Sequence, residues 1–326
     1  MAKSDSKIMD AIGGYFSLEL PLYDEYHKGS IKLNTGRNCL EYILRARKYS
    51  KVYIPYYTCE AVLEPLRLIG IPYEYYHIDI YLEIIDKPIL KDCEALLYTN
   101  YFGLKQRYVE KLAKTYGPRL IVDNTQAFYA KRIDGIDTFY SCRKFFGVPD
   151  GAYLFCDANL DLEIEQDISY ERFSHLLKRI DLSPEQGYSD FREVEDSLTN
   201  QPIRRMSKLT ERMMKSIDYC SVAKQRKNNF VFIHNTLGAI NLLPLSVDEE
   251  AVPQVYPFMV SVKGLRQLLN KNKLFIACYW PNVLEWTNKD DFEYLLASNV
   301  LPLPIDQRYS KGVLENMLLI IRDYRL

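Results

Sequence analysis

Apolar positions in the first half of this chain fall into short runs separated by segments of helical period. The strand-length runs are Val52–Pro55, Tyr73–His77, Ala95–Thr99, Leu120–Asp123, Thr138–Ser141 and Ala152–Cys156. Between them, apolar residues spaced three and four apart predict helices at 37–47, 58–69 and 109–116. Strands that alternate with helices in this way predict a mainly parallel sheet that is covered by helices on both faces.

The pattern changes after residue 160. A charged segment at 160–200 has no clean period, and we expect it to be helical, whereas residues 207–233 predict one long amphipathic helix. Further strands at 255–261, 274–278 and 300–303 and helices at 265–269, 291–297 and 314–321 indicate a smaller C-terminal α/β unit. A chain of 326 residues can form two domains, which we expect at 1–205 and 206–326.

Composition narrows the possible partners and location. The net charge of −1 argues against nonspecific electrostatic binding to nucleic acid or anionic lipid. The seven cysteines are scattered singly and the four histidines are dispersed, so we predict reduced thiols in a cytoplasmic protein and no metal site. We read no secretory signal and no apolar stretch of about 18 residues that would cross a membrane.

A lysine and a carboxylate stand at the ends of two neighbouring predicted strands. Lys144 closes the segment Ser141-Cys-Arg-Lys144, and Asp123 ends the strand that begins at Leu120. Parallel sheets bind ligands at the carboxyl ends of their strands. Pyridoxal phosphate needs such a pair, because an amine forms a Schiff base with its aldehyde and a carboxylate keeps its ring nitrogen protonated.

Several short motifs follow one another in the order found in a known family. They are Thr35-Gly-Arg37, Ile54-Pro-Tyr-Tyr-Thr58, Asn100-Tyr-Phe-Gly103, Asp123-Asn-Thr-Gln126, Ser141-x-x-Lys144, Arg205-Met-Ser207, Tyr279-Trp-Pro281 and Leu303-Pro-Ile305. In this order they resemble the DegT/StrS group of pyridoxal-phosphate-dependent nucleotide-sugar aminotransferases. The resemblance implies the fold-type-I architecture, with a large cofactor-binding α/β domain and a smaller C-terminal one.

The resemblance also implies a phosphate site. Thr35, Gly36 and Arg37 would present helix N-terminal N–H groups and a cation to the cofactor phosphate, and Ser141 would add a hydroxyl. Each has a plainer interpretation: Thr35 is also a good N-cap for a surface helix, and Ser141 can be an ordinary strand-end serine.

Three residues would hold the reactive ring. Asp123 would bond to the ring nitrogen, Gln126 would bond to the phenolic oxygen, and Lys144 would form the Schiff base and later move a proton. The alternatives are that Asp123 caps a turn, that Gln126 is a solvated loop residue and that Lys144 is a surface charge. Family members that deoxygenate sugars carry histidine in place of this lysine, so Lys144 favours amino transfer.

Two positions depart from the family pattern. The residue that usually supplies a ring to stack on the cofactor is Cys59 here, which makes Tyr57 the substitute candidate. An asparagine that reaches the phosphate across the dimer interface is replaced by Ile203. Arg204 and Arg205 are then candidates for the anion contact, or they are solvated charges at a helix start.

The resemblance therefore predicts a homodimeric aminotransferase that uses an amino-acid donor and a nucleotide-linked keto-sugar acceptor. Two other functions stay open. The chain can be a binding or regulatory relative that no longer transaminates, or a pyridoxal phosphate enzyme of another reaction type. The sequence identifies neither the sugar nor the donor, the carbon aminated or the pathway.

Overall fold

The computed structural model describes residues 12–246 and 248–324. Its centre is a sheet in which the strands lie in the order β1-β7-β6-β5-β4-β2-β3. The strands are β1 (Ile31–Leu33), β2 (Lys51–Pro55), β3 (Tyr73–Tyr76), β4 (Glu94–Thr99), β5 (Leu120–Asp123), β6 (Asp137–Ser141) and β7 (Ala152–Phe155). Strands β2 to β6 pair in parallel, and β7 runs antiparallel to both β6 and β1. The predicted mainly parallel sheet is confirmed.

Helices cover both faces of this sheet and build the C-terminal unit. They are α1 (Gly36–Arg47), α2 (Leu63–Ile69), α3 (Gln106–Tyr116), α4 (Ser174–Asp181), α5 (Tyr188–Ser197), α6 (Lys208–Met214), α7 (Tyr219–Leu237), α8 (Leu265–Lys271), α9 (Val283–Trp286), α10 (Phe292–Asn299) and α11 (Lys311–Arg322). Within the described ranges, no helix is long and apolar enough to cross a membrane.

The two faces of the sheet have separate apolar cores because side chains alternate along each strand. On one face, Leu97, Ile121 and Phe139 pack with the buried side of α1, including Leu40 and Ile43. On the other face, the core is formed by Leu96, Tyr98, Leu112, Leu120 and Val122, together with residues from 255 to 300. Helices on both sides of the sheet confirm the predicted α/β class.

The C-terminal unit has a sheet of two antiparallel strands, β8 (Val255–Met259) and β9 (Val300–Pro304). Helices α7, α8 and α11 pack on it through residues such as Ile233, Leu269 and Leu318. The strand that we predicted at 274–278 is wrong. The guanidinium of Arg266 and the side chain of Asn270 bond the backbone of this segment, and no strand pairs with it in the described part of the chain.

The single helix predicted at 207–233 is also wrong, because α6 and α7 are separate helices. Ser207 caps α6 by accepting a hydrogen bond from the Thr210 backbone N–H at 3.1 Å. Asp218 caps α7 by accepting one from the Ser221 N–H at 3.0 Å. Both caps are residue types that favour helix N-termini, so the break at 215–218 is encoded locally.

The segments before and after the main sheet complete the large unit. Residues 12–30 contain no helix or strand, as expected, but the short strand β1 that follows them was not predicted. Its Leu33 bridges to Arg205, and this brings the chain back to the sheet edge after the charged segment at 160–200, here called the excursion. The excursion at 160–200 is helical, as predicted, and forms α4 and α5.

Candidate functional site

The polar residues singled out in the sequence gather where β4, β5 and β6 end. Thr99 lies opposite Asp123, and Asp123 lies opposite Phe139. Side chains two residues apart share a face of a strand, so Asp123 follows Ile121 and Ser141 follows Phe139 onto the face covered by α1. Thr99 follows Leu97 onto the same face. These three side chains therefore line one edge of the sheet on one side.

The N-terminus of α1 meets this edge. A Cβ added at Gly36 would lie 3.2 Å from Thr125 Cγ2 and 3.7 Å from the Phe139 ring, so the helix begins directly against the turn that follows Asp123. The Thr35 hydroxyl accepts the Asn38 N–H at 3.2 Å and also bonds to the Asn38 side chain. Thr35 is therefore the N-cap of α1. Its hydroxyl takes up the Asn38 N–H, and the backbone N–H groups of Gly36 and Arg37 remain as donors for an anion.

Lys144 is connected to Asp123 through Thr125. The Lys144 Nζ donates a hydrogen bond to Thr125 Oγ1 at 3.0 Å, and the Thr125 backbone N–H donates to Asp123 Oδ1 at 2.8 Å. Asp123 is buried, whereas Lys144 is exposed. The lysine therefore lies at the open side of the site and the carboxylate at its base.

Burial dominates the electrostatics of the carboxylate. It raises the pKa of Asp123, while the charge of Lys144 and the hydrogen bonds from Thr125 partly offset this effect. A buried carboxylate of this kind interacts favourably with any cationic nitrogen that comes within hydrogen-bond distance.

Gln126 has a fixed amide orientation. Its side chain is buried, and Oε1 accepts the Phe102 backbone N–H at 2.7 Å. Because the oxygen serves the backbone, the amide Nε2 is the group that is left to donate to a ligand. The plainer interpretation of Gln126 as a solvated loop residue does not hold.

The other phosphate candidates differ in their surroundings. The Arg37 Nε lies 3.1 Å from Glu64 Oε2, so this cation already has a carboxylate partner. Ser141 is buried at the end of β6, opposite Ala152. Arg205 has an exposed side chain at the sheet edge, where its backbone bonds to residues on the segment at 165–167.

The structure does not bring Tyr57 to the face that carries Asp123. Its ring is fully buried in the core on the opposite face, with centroids 4.8 Å from Trp280 and 5.6 Å from Tyr101. Burial raises the pKa of its hydroxyl, which has no hydrogen-bond partner among the described residues. A buried ring that is enclosed in this way cannot stack on a ligand beside Lys144 without a rearrangement of the core.

Two residues at the site were missed in the sequence. Thr125 connects Lys144 to Asp123, although it lies inside the segment already singled out as Asp123 to Gln126. Thr99 has a buried hydroxyl with no hydrogen-bond partner in the described part of the chain, directly beside Asp123. The available signal for both was a hydroxyl residue at or just after a strand end, which is a weak one because such residues are common in turns.

Comparison with known proteins gives a clear result for the fold. No protein-family model matches the chain, and no curated protein matches it. Solved structures do match, and those described below cover about 90% of this chain. The chain has the aminotransferase fold.

Three of these structures illustrate the likeness. A DegT DnrJ EryC1 StrS aminotransferase from Brucella abortus has 14% identity and a TM-score of 0.57, with 90% of this chain and 85% of that one covered. DesV from S. venezuelae, in complex with a ketimine intermediate, has 17% identity and a TM-score of 0.61, covering 90% and 84%. DesI, in the presence of its TDP-sugar product, has 17% identity and a TM-score of 0.59, covering 90% and 79%. The likeness establishes the predicted fold-type-I architecture.

Proposed function

We propose that this chain is a pyridoxal-phosphate-dependent aminotransferase that transfers an amino group from an amino acid to a keto-sugar carried on a nucleotide. The observation that carries the proposal is the connection from Lys144 through Thr125 to the buried Asp123, at the strand edge that faces the N-terminus of α1. The structures of DesV in complex with a ketimine intermediate and of DesI in the presence of its TDP-sugar product support the proposal.

The residues at this edge fit pyridoxal phosphate. When bound, the cofactor supplies an electrophilic aldehyde and a ring that accepts electrons. Lys144 would provide the amine for the aldehyde, Asp123 would bond to the ring nitrogen, and the Nε2 of Gln126 would donate to the phenolic oxygen. The Thr99 hydroxyl, buried without a partner beside Asp123, offers a further polar group to the ring.

The phosphate would be held mainly by neutral donors. The backbone N–H groups at Thr35 and Gly36 begin α1, and the Ser141 hydroxyl shares the face of Asp123. Arg37 would act through its charge, since Glu64 already pairs with it. Arg205 would reach the phosphate only from the sheet edge.

Each side chain has a definite task during transfer. Asp123 would stay ionised beside the ring nitrogen, whose positive charge offsets the desolvation of the carboxylate. Lys144 would hold the cofactor at rest and then, as a free amine, move a proton between the substrate carbon and the cofactor carbon. Thr125 Oγ1, 3.0 Å from the Lys144 Nζ, would keep the free amine at the edge of the ring.

The proposal includes a homodimer and a cytoplasmic location. Large apolar side chains are exposed on the excursion, which packs beside the turn at 142–146 (the Lys144 turn). They are Ile168, Tyr170, Leu177, Ile180, Leu182 and Tyr188. The excursion contacts this turn through the Arg143–Glu195 ion pair, so a partner on it would also border the site. Sedimentation at micromolar concentration should give twice the chain mass of 38.3 kDa. A monomer would contradict the dimer.

All seven cysteines are free, which supports a cytoplasmic location for the protein.

The first half of the reaction tests the proposed function. The protein loaded with pyridoxal phosphate should convert added L-glutamate to 2-oxoglutarate, one per chain, as the amino group passes to the cofactor. A nucleotide-linked keto-sugar should then take up the amino group and restore the original absorbance. The Lys144→Ala variant should release at least 100-fold less 2-oxoglutarate in the same time, and Lys131→Ala, which removes an exposed lysine, should match the wild type.

The negative outcomes separate the alternatives. A protein that binds the cofactor through Lys144 but converts no amino donor would favour a different pyridoxal phosphate reaction. A protein that does not bind the cofactor would contradict the proposal and favour the binding or regulatory relative.

A further inference from the structure

Arg226 on α7 is a buried arginine outside the site described above. Its side chain is 1% exposed, and its donors reach four oxygens in three separate parts of the chain. The Nε donates to Gln307 Oε1 at 3.0 Å, Nη1 donates to the carbonyls of Gln254 at 2.9 Å and Pro253 at 3.4 Å, and Nη2 donates to the Phe145 carbonyl at 3.3 Å. All four acceptors are uncharged.

The charge of Arg226 has no direct carboxylate partner among the described residues. The carboxylate that most influences it, Asp306, is paired with Arg308 at 2.7 Å. Burial lowers the pKa of Arg226 to about 10, so it remains a cation at neutral pH. Desolvation of a buried cation without a carboxylate is costly, and an apolar side chain of similar size is often as stabilising or more so. Fold stability alone therefore does not account for arginine at this position.

The contacts converge on the residue that follows Lys144. The Phe145 carbonyl accepts Arg226 Nη2 at 3.3 Å and Gln307 Nε2 at 2.9 Å, and the guanidinium lies 4.5 Å from the centroid of the Phe145 ring. Gln307 follows β9, and Arg226 itself lies on α7, so both donors come from the C-terminal half. Inside the turn, the N–H groups of Phe145 and Phe146 bond to the Cys142 carbonyl and to no other described residue.

We propose that Arg226, with Gln307, is a positioning residue that fixes the Lys144 turn so that the lysine amine reaches both Thr125 and the cofactor aldehyde. This inference rests on the proposed function of Lys144. Within the described part of the chain, the Lys144 side chain has one hydrogen bond, to Thr125, so the direction of its long chain depends on where the turn holds its Cα. A misplacement of about 1 Å at a reacting group can lower a rate about 100-fold.

The chain offers a matched control on the same helix. Asn229 is buried one turn beyond Arg226, and its Nδ2 donates to the carbonyls of Ile305, Asp306 and Tyr309. It therefore ties α7 to the segment that contains Gln307, and among the described residues it has no hydrogen bond to the Lys144 turn. An Asn229→Ala variant therefore measures how much the reaction slows when α7 is held less firmly to this segment but the hydrogen bonds to Phe145 are kept.

The first test is the rate at which added pyridoxal phosphate forms an adduct with Lys144, followed by absorbance. We expect Arg226→Met to lower this rate at least tenfold, because the Phe145 carbonyl loses the guanidinium while the buried volume is kept. Arg226→Lys should be intermediate, and Asn229→Ala should stay within twofold of the wild type. Equal rates for Arg226→Met and the wild type would overturn the proposal, as would an equal loss in Asn229→Ala.

Gln307→Glu separates positioning from stability. It gives Arg226 a carboxylate partner, which should preserve or raise the urea midpoint, but it removes the Nε2 donor to Phe145. We expect slower adduct formation by a folded protein. A variant that is folded and reacts at the wild-type rate would contradict a role for Gln307 in holding the turn.

A measurement on the cofactor-free protein keeps the inference independent of the proposed function. Amide hydrogen exchange should increase in the peptide containing residues 142–146 in Arg226→Met, whereas in Asn229→Ala it should increase around 305–309 only. If the wild type forms no adduct, the proposed function fails, yet this exchange pattern still tests whether Arg226 holds the turn. Unchanged exchange at 142–146 in Arg226→Met would overturn it.

Discussion

At the scale of single residues, the site depends on three side chains with different burial. Lys144 and Asp123 were predictable because each stands at a strand end, where parallel sheets bind ligands. Thr125, which joins them, was not, since a threonine in a turn carries no distinctive pattern. Tyr57 shows the reverse case. Sequence position made it a candidate, but the chain bends after β2 ends at Pro55, and the ring lies in the core on the opposite face.

The burial of Asp123 predicts a pH dependence of stability in the cofactor-free protein. Its pKa is raised on folding, so the folded state holds the proton more tightly than the unfolded state. Stability contributed by this group is therefore lost as pH rises from about 4 through the folded pKa. The Asp123→Asn variant lacks this loss, and we expect its urea midpoint, relative to the wild type, to increase between pH 4 and 7. A difference in urea midpoint between Asp123→Asn and the wild type that stays constant with pH would contradict the raised pKa of Asp123.

At the scale of elements, local sequence patterns predicted most helices and strands. They failed where a contact with a distant part of the chain determines which backbone groups are free to pair. Strands β2 to β6 were predicted because each is a short, mostly apolar run with the length of a strand. The segment at 274–278 has the same composition, but Arg266 and Asn270 occupy its backbone groups, and a strand needs a neighbouring strand. The break between α6 and α7 could have been predicted from its capping residues.

Gly151 joins the Lys144 turn to β7 and allows a specific prediction. Its φ is +110°, and an added Cβ would lie 2.8 Å from Thr210 Cγ2 and 3.2 Å from Cys142 Sγ. Gly135 also has positive φ, at +77°, but an added Cβ there has no atom within 4 Å. We expect Gly135→Ala to lower the free energy of unfolding by about 1–2 kcal/mol, from backbone strain alone. Gly151→Ala should cost about 1–3 kcal/mol more, from overpacking. Equal losses in urea unfolding would contradict this account.

At the scale of the whole molecule, the order of elements determines the fold and the position of the site. Alternating strands and helices led to the parallel sheet and to its carboxyl edge, even though identity to the matching structures is only 14–17%. The hydrogen bonds from Arg226 and Gln307 to the Phe145 carbonyl could not be predicted. They join α7, the segment after β9 and the Lys144 turn, which are distant in the sequence.

The central claim is that Lys144 holds pyridoxal phosphate. The most direct measurement is borohydride reduction of the protein after addition of the cofactor, followed by mass mapping of the modified lysine. The account predicts an absorbance band that shifts on reduction, with one phosphopyridoxyl group per chain on Lys144 and none in Lys144→Ala. A label spread over exposed lysines, or an unchanged adduct in Lys144→Ala, would contradict it.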